Sequence, residues 1–233
     1  MNNRSASVFL VDDHPLVREW LANLLRQQPD LAVCGEAGNV AAALEGIART
    51  KPAVAIVDLS LSDRWGLDLI KQLASSLPET RVIVLSMHDE KLYAERVMRA
   101  GARGYVMKRE TAKVIVAAIR QVLVGELYLS NAVQTLFAER FVDGGRPAGA
   151  SPIDTLSDRE LEVFRLLGQG LPTRQIALSL GLSMKTIHSY YGRVREKLQL
   201  ANASALTREA ICWCEAESRG WEDGSRGGVE RAI

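Results

Sequence analysis

Five residues, far apart in the chain, could together do phosphoryl chemistry: Asp12, Asp13, Asp58, Ser86 and Lys108. They close short apolar runs, VFLVDD, VAIVD, VIVLS and GYVMK, so they fall where buried strands would end. Three carboxylates gathered without relief would repel one another and raise their own pKa values, so a cation has to sit among them. Oxygen ligands with room for water suit Mg²⁺, which prefers octahedral coordination and usually shares its shell with a phosphate. Lys108 supplies a compact positive charge and Ser86 a hydroxyl donor, both suited to phosphate oxygens. A carboxylate is a competent nucleophile toward phosphorus, giving an aspartyl-phosphate, and a metal neutralises charge in the loose transition state. Taken singly the pieces are ordinary. An Asp-Asp pair before a helix is more often a cap, and a strand-end lysine is usually solvated. Their joint occurrence at the ends of four strands is what points to chemistry.

The elements that must position these residues alternate along the first half of the chain. Apolar runs at residues 7–11, 31–37, 54–58, 81–86 and 104–108 are rich in Val, Ile and Leu, the pattern of strands buried on both faces. Between them, residues 16–27, 40–49, 67–73, 92–100 and 112–124 carry apolar residues at helical spacing. Leu16, Trp20 and Leu24 line one such face, and Val114, Ala118 and Val122 another. Five βα units with short connections predict an α/β fold with an open, doubly wound, five-stranded parallel sheet over residues 1–125. Ligands of such sheets bind at the carboxyl ends of the strands, near the reversal of strand order, which would gather the five residues into one pocket.

Residues 126–154 read as a linker with one amphipathic helix at 131–142 followed by DGGRPAGASP. Residues 155–216 offer only helical patterns, at 158–167, 173–180, 184–198 and 204–214, and predict an all-α domain of four helices. The polar, Gly-rich residues 217–233 are expected to form a disordered tail.

A length of 233 residues with 47% hydrophobic content fits two globular domains. No stretch reaches the apolar length of a membrane span and the first residues lack a secretory pattern, so a cytoplasmic protein without membrane contact is expected. Cys34, Cys212 and Cys214 match no disulfide or zinc spacing and read as reduced, mostly buried residues. The net charge of +1 advertises no nucleic-acid partner, so any such signal must be local.

VDDHPLVRE, IVDLSL, VLSMHDE and GARGYVMK, within residues 6–125, resemble the receiver domain of bacterial two-component response regulators, a CheY-like fold. The resemblance implies that Asp58 is the phosphoacceptor and that Asp13, supported by Asp12, binds Mg²⁺ with Asp58 and the backbone carbonyl of Ser60. It further implies that Ser86 and Lys108 grip the phosphoryl group and that Tyr105 reorients when Ser86 moves. Four residues beyond the acceptor the family commonly has proline, whereas this chain has Ser62, followed by Asp63, Arg64 and Trp65. His14 and His88 flank the pocket in sequence without a metal-ligand partner at helical spacing, and His88 is a candidate tuner of hydrolysis.

Residues 156–200 read as a helix followed by two helices joined by the turn Leu180-Gly181-Leu182-Ser183, with Ser183 as cap of the last. In that last helix Ile187, Tyr190 or Tyr191, Val194 and Leu198 make an apolar face. Lys185, His188, Ser189 and Gly192 share another, with Arg193, Arg195 and Lys197 beyond. An apolar side for a scaffold and a short-polar, basic side left free is what major-groove insertion needs. LSDRELEV, QIALSLGLS, KTI and RVREKL resemble the LuxR-type helix-turn-helix domain. This implies double-stranded promoter DNA as ligand, contacted by Lys185, Thr186, His188, Ser189, Arg193 and Lys197, and a final helix at 204–214 that dimerises. Pro172-Thr173 departs from the family's Ser-Asn and predicts a shifted cap. Gly192 costs about 1 kcal/mol of helix propensity.

Together the resemblances imply a response regulator of the NarL/FixJ type: a DNA-binding homodimer controlled by a sensor histidine kinase, and not an enzyme. Two rivals remain at this level. One is a regulator that dimerises without phosphate, and the other is a Mg²⁺-dependent phosphohydrolase, which would need a cap and an acid-base residue that the second domain does not offer.

Overall fold

The computed structural model describes residues 5–61, 64–142 and 151–226, with side chains described as far as Glu217. It divides into two compact units, residues 1–139 and 140–233. In the first, β1 (Ala6–Val11), β2 (Leu31–Ala37), β3 (Val54–Val57), β4 (Arg81–Ser86) and β5 (Gly104–Met107) alternate with α1 (Pro15–Arg26), α2 (Val40–Thr50), α3 (Gly66–Ser76), α4 (Glu90–Arg99) and α5 (Ala112–Leu123). The strands are parallel, in the order β2-β1-β3-β4-β5. β1 lies between β2 and β3, so the chain leaves it in opposite directions and the ends of β1 and β3 open side by side.

The period of two along each strand sends residues to both faces. Val8, Leu10, Ile56, Ile83, Leu85 and Val106 pack with Leu21 and Leu25 of α1 and with Ile115, Ile119 and Val122 of α5 in one buried cluster. Asn39 caps α2 by accepting the Ala42 N–H at 2.9 Å. At Gly66, the first residue of α3, a Cβ would lie 2.2 Å from the Asp58 carbonyl oxygen. Only glycine lets that helix begin against the backbone of the candidate acceptor. Helix α6 (Asn131–Val142) lies where the amphipathic stretch was read.

The second unit holds a short 3₁₀ turn (Pro152–Thr155) and helices α7 (Asp158–Gly168), α8 (Thr173–Ser179), α9 (Met184–Lys197) and α10 (Ala203–Arg226). Val163, Ile176, Ala177 and Ile187 form its core, with Leu180, Leu182, Tyr190 and Tyr191 against them. Gly181 takes φ +63 in the turn between α8 and α9, and Ser183 caps α9 by accepting the Thr186 N–H at 3.1 Å. Helix α8 begins at Thr173 without a side-chain cap, Pro172 supplying its carbonyl oxygen to Gln175 and Ile176, so the expected replacement cap is absent. Helix α10 runs to Arg226, past the point where a disordered tail was expected to begin. Residues 215–226 contain no proline, and a helix already nucleated gains a hydrogen bond for each residue added. Cys212 is exposed rather than buried, and the three cysteines are free. Among the described residues no helix is long and apolar enough to cross a membrane.

Candidate functional site

Asp12 follows β1, Asp58 follows β3 and Lys108 follows β5, and the sheet order brings them together. Lys108 Nζ lies 2.6 Å from Asp12 Oδ2 and 2.8 Å from Asp58 Oδ2, with each carboxylate side chain 3% exposed. Burial pushes the Asp58 carboxyl above its ordinary value, and Lys108 offsets this only in part. Burial alone would lower the Lys108 ammonium, yet the two aspartates hold it above its ordinary value. Ligand atoms of Asp12, Asp13, His14 and Asp58 lie within 4.8 Å of one another. Asp13 Oδ1 is 2.7 Å from His14 Nδ1 but is a buried oxygen that accepts no aligned hydrogen bond. One lysine among three carboxylates leaves negative charge over, and hard oxygens with an unused acceptor fit a divalent cation.

The other predicted residues of this pocket fall around it. The Ser60 N–H donates to Asp58 Oδ1 at 3.2 Å, and Ser60 Oγ shares a 2.8 Å hydrogen bond with His88 Nε2. Ser86 is fully buried at the end of β4, and its Oγ accepts the His88 N–H at 3.2 Å. Tyr105 is buried, and its hydroxyl donates to the His88 carbonyl oxygen at 2.8 Å. The His88 ring lies on Tyr93 of α4 with centroids 4.8 Å apart. Trp65, 4% exposed, meets the other side of that neighbourhood, edge-on to Tyr93 at 6.2 Å. Ser62 and Asp63, the centre of the departure noted above, lie outside the described residues.

In the second unit, α9 turns Ile187 and Val194 inward, each no more than 1% exposed. Lys185, His188, Ser189, Gly192 and Arg193 are exposed and Thr186 is half-buried. Ser189 Oγ donates to the Lys185 carbonyl at 3.1 Å, the Thr186 hydroxyl is 2.8 Å from Ser183 Oγ, and Arg193 lies over the Tyr190 ring at 5.6 Å. A Cβ at Gly192 would meet nothing within 4 Å, so packing does not demand glycine there. Lys197 stands apart from this set. Its Nζ donates to Glu160 Oε2 at 2.6 Å and to the Thr155 carbonyl at 3.0 Å. Glu160 also accepts the Ser157 N–H at 2.8 Å, closing a capping box at the start of α7. Burial would raise the Glu160 carboxyl, but the Lys197 and Ser157 hydrogen bonds outweigh it and hold the carboxyl below its ordinary value.

The response regulator receiver domain profile matches residues 8–120, and that of bacterial regulatory proteins of the luxR family matches residues 154–210. The transcriptional regulatory protein UhpA of Escherichia coli is 37% identical over 202 residues, 87% of this chain and 96% of that one. The chain belongs to the response regulators with a LuxR-type DNA-binding domain. Among its curated relatives is also the transcriptional activator protein ExaE of Pseudomonas putida, 34% identical over 88% of this chain and 95% of that one. Solved relatives of the regulator include RcsB of Salmonella typhimurium, studied for conformational dynamism in DNA interaction, with TM-score 0.71 and 26% identity over 90% of this chain and 98% of that one. RcsB of Salmonella enterica serovar Typhimurium bound to promoter rprA with the phosphomimetic BeF₃⁻ gives TM-score 0.67 and 27% identity over 88% and 98%. The five-stranded parallel sheet with a C-terminal helical domain is the architecture expected from the sequence.

For this regulator, the sequence reading missed three contacts. His14 joins the acidic group through neighbours at i−1 and i−2, which a search for helical spacing in a loop could not find. Glu160 engages Lys197 across 37 residues, and Ser60 engages His88 across 28. Glu160 had a signal in the Ser157-to-Glu160 capping box, whereas the Ser60 pairing had none.

Proposed function

We propose that Asp58 accepts a phosphoryl group from a sensor histidine kinase and that the resulting acyl phosphate favours dimerisation and promoter binding. The observation carrying this reading is Lys108 held between the two buried carboxylates of Asp12 and Asp58, with Ser86 on the neighbouring strand. An Asp58 oxygen attacks phosphorus; the new O–P bond forms as the N–P bond of a ring-protonated phosphohistidine breaks, and neutral imidazole leaves with the electron pair of that bond. Asp12, Asp13 and Asp58, with the Ser60 carbonyl, would hold Mg²⁺. When bound, Mg²⁺ neutralises charge on the phosphoryl oxygens. Lys108 then exchanges a carboxylate for a phosphoryl oxygen, and the Ser86 hydroxyl donates to another. Tyr105 follows that movement, because its hydroxyl is bonded to His88, two residues beyond Ser86.

Helix α9 would enter the major groove with Lys185, Thr186, His188 and Ser189 toward base edges and Arg193 toward phosphate. Lys197, already paired with Glu160, fastens the end of α9 to the start of α7 instead of meeting DNA. Helix α10 would supply the dimer contact, since Arg208, Ile211, Cys212 and Glu215 are exposed along it.

Incubation with acetyl phosphate and Mg²⁺ tests the first step. A stoichiometric, base-labile phosphoprotein is expected from wild type and none from Asp58→Ala. Multiple turnover of the donor would make the protein a phosphohydrolase. An Asp58→Ala protein that dimerises and binds DNA like the phosphorylated wild type would make it a constitutive regulator.

A further inference from the structure

Gly192 stands inside α9, on the line that runs through Lys185, Ser189, Gly192 and Glu196 at four- and three-residue spacing. That line lies opposite the buried Ile187 and Val194, and all four of its residues are exposed. Glycine is a costly choice in such a place, because among the residues only proline is worse in a helix interior. A chain keeps glycine for a positive φ, for close packing within the fold, or for the close approach of a ligand to the backbone. The first reason fails, since among the described residues the glycines with positive φ are Gly101, Gly125, Gly170 and Gly181. The second fails too, since a Cβ on Gly192 would meet nothing within 4 Å. The third remains, and Ser189 agrees with it. Its side chain is short, and its hydroxyl donates back to the Lys185 carbonyl at 3.1 Å, which leaves no proton on it for an acceptor outside the helix. Ser189 and Gly192 thus form a low strip between two longer side chains, Lys185 and Glu196. The strip presents aliphatic hydrogens, so it fits an apolar group projecting from a duplex, and in the major groove that group is the thymine C5-methyl.

We infer that Gly192 is a specificity-determining residue: it lets the backbone of α9 lie directly against a base pair of the bound site, with a thymine methyl seated on the strip of Ser189 and Gly192. The inference rests on the reading of α9 as the helix that enters the major groove. A side chain at this position, even a single carbon, would hold the helix off the base edge. Substitution then makes the domain more stable and its recognition of DNA worse. Effects of opposite sign are what a glycine kept for a ligand gives, whereas a glycine that the fold itself needs loses both together.

The test uses the full-length protein treated with acetyl phosphate and Mg²⁺. Duplexes with a randomised centre are enriched on wild type, and the enriched duplex and an unrelated one are then titrated with wild type and with Gly192→Ala. Wild type is expected to enrich thymine at a fixed position. Gly192→Ala is expected to bind the enriched duplex about tenfold more weakly and the unrelated duplex like wild type. Calorimetry of the same variant is expected to show the melting midpoint of the DNA-binding domain raised by about 4 °C. Replacing the fixed thymine by deoxyuridine removes only the methyl; it is expected to weaken wild type about fourfold and Gly192→Ala hardly at all. Tight binding of the enriched duplex by Gly192→Ala, a lowered melting midpoint, an enriched duplex without a fixed thymine, or an equal loss to deoxyuridine in both proteins would overturn the inference. A wild-type protein that enriches no sequence would defeat the major-groove reading of α9, and the inference with it.

Discussion

Lys108 and Lys197 each stand at the end of an element and each reach a buried carboxylate, yet their surroundings differ in charge balance. Lys108, 10% exposed, faces both Asp12 and Asp58 beside a third aspartate, and the Asp58 carboxyl is still pushed up. Lys197, 38% exposed, faces Glu160 alone, and the Glu160 carboxyl is held down. A balanced pair closes a structural joint. An unbalanced one is a destabilising arrangement that a bound cation or a phosphoryl exchange can relieve. The same residue types thus mark a joint in one domain and a site in the other.

The sharpest way to break this comparison is to remove each lysine. Lys108→Ala leaves two buried carboxylates without their cation and is expected to cost about 3 kcal/mol of receiver stability. Urea unfolding with and without millimolar Mg²⁺ checks it: most of the loss should return with the metal, and a loss indifferent to Mg²⁺ would mean that the cluster does not demand a cation. Lys197→Ala is expected to cost less, about 1–2 kcal/mol, because Lys197 is partly in water and Ser157 still holds Glu160. Calorimetry of the full chain should show this loss in the DNA-binding domain, unrelieved by Mg²⁺. Unchanged stability with a flatter salt dependence of DNA binding would return Lys197 to the phosphate contacts.

Arg193→Ala sharpens the contrast from the other side, since no carboxylate is its partner in the contacts described above. DNA affinity is expected to fall about tenfold, uniformly across sequences, and the salt slope by about 1; titrations at several salt concentrations measure both. The smallest effect is in pH. Glu160, lowered in the folded state, contributes stability that is complete above its ordinary value of 4.5 and is lost as pH falls through the lower folded value. The stability gap between wild type and Lys197→Ala should therefore narrow on acidification, by a few tenths of a kcal/mol. A gap that widened would give Glu160 the wrong sign.

Much of the receiver was legible because its signals are local. Runs such as VAIVD give strand, burial and a terminal carboxylate in five consecutive residues, and doubly wound topology then gathers the strand ends. Helix α9 was legible for the same reason, through the cap at Ser183 and the apolar spacing of Ile187 and Val194. The end of α10 was misread because Gly220 and Gly224 look like breakers, whereas an established helix tolerates each for about 1 kcal/mol. The Glu160 partner of Lys197 was not legible, because a basic residue on a helix reads as free until its partner is located.

By itself the sequence determined two domains, the five strands with their order of βα units, and the residue types at the strand ends and on α9. Only the tertiary structure decided which charges are already spent: Lys108 on Asp12 and Asp58, Lys197 on Glu160, and the His88 ring on Ser60. The reason is physical. Periodicity and capping act within a few residues and leave a pattern in the chain, whereas an ion pair or hydrogen bond across 28 residues or more depends on packing that brings the partners within 3 Å.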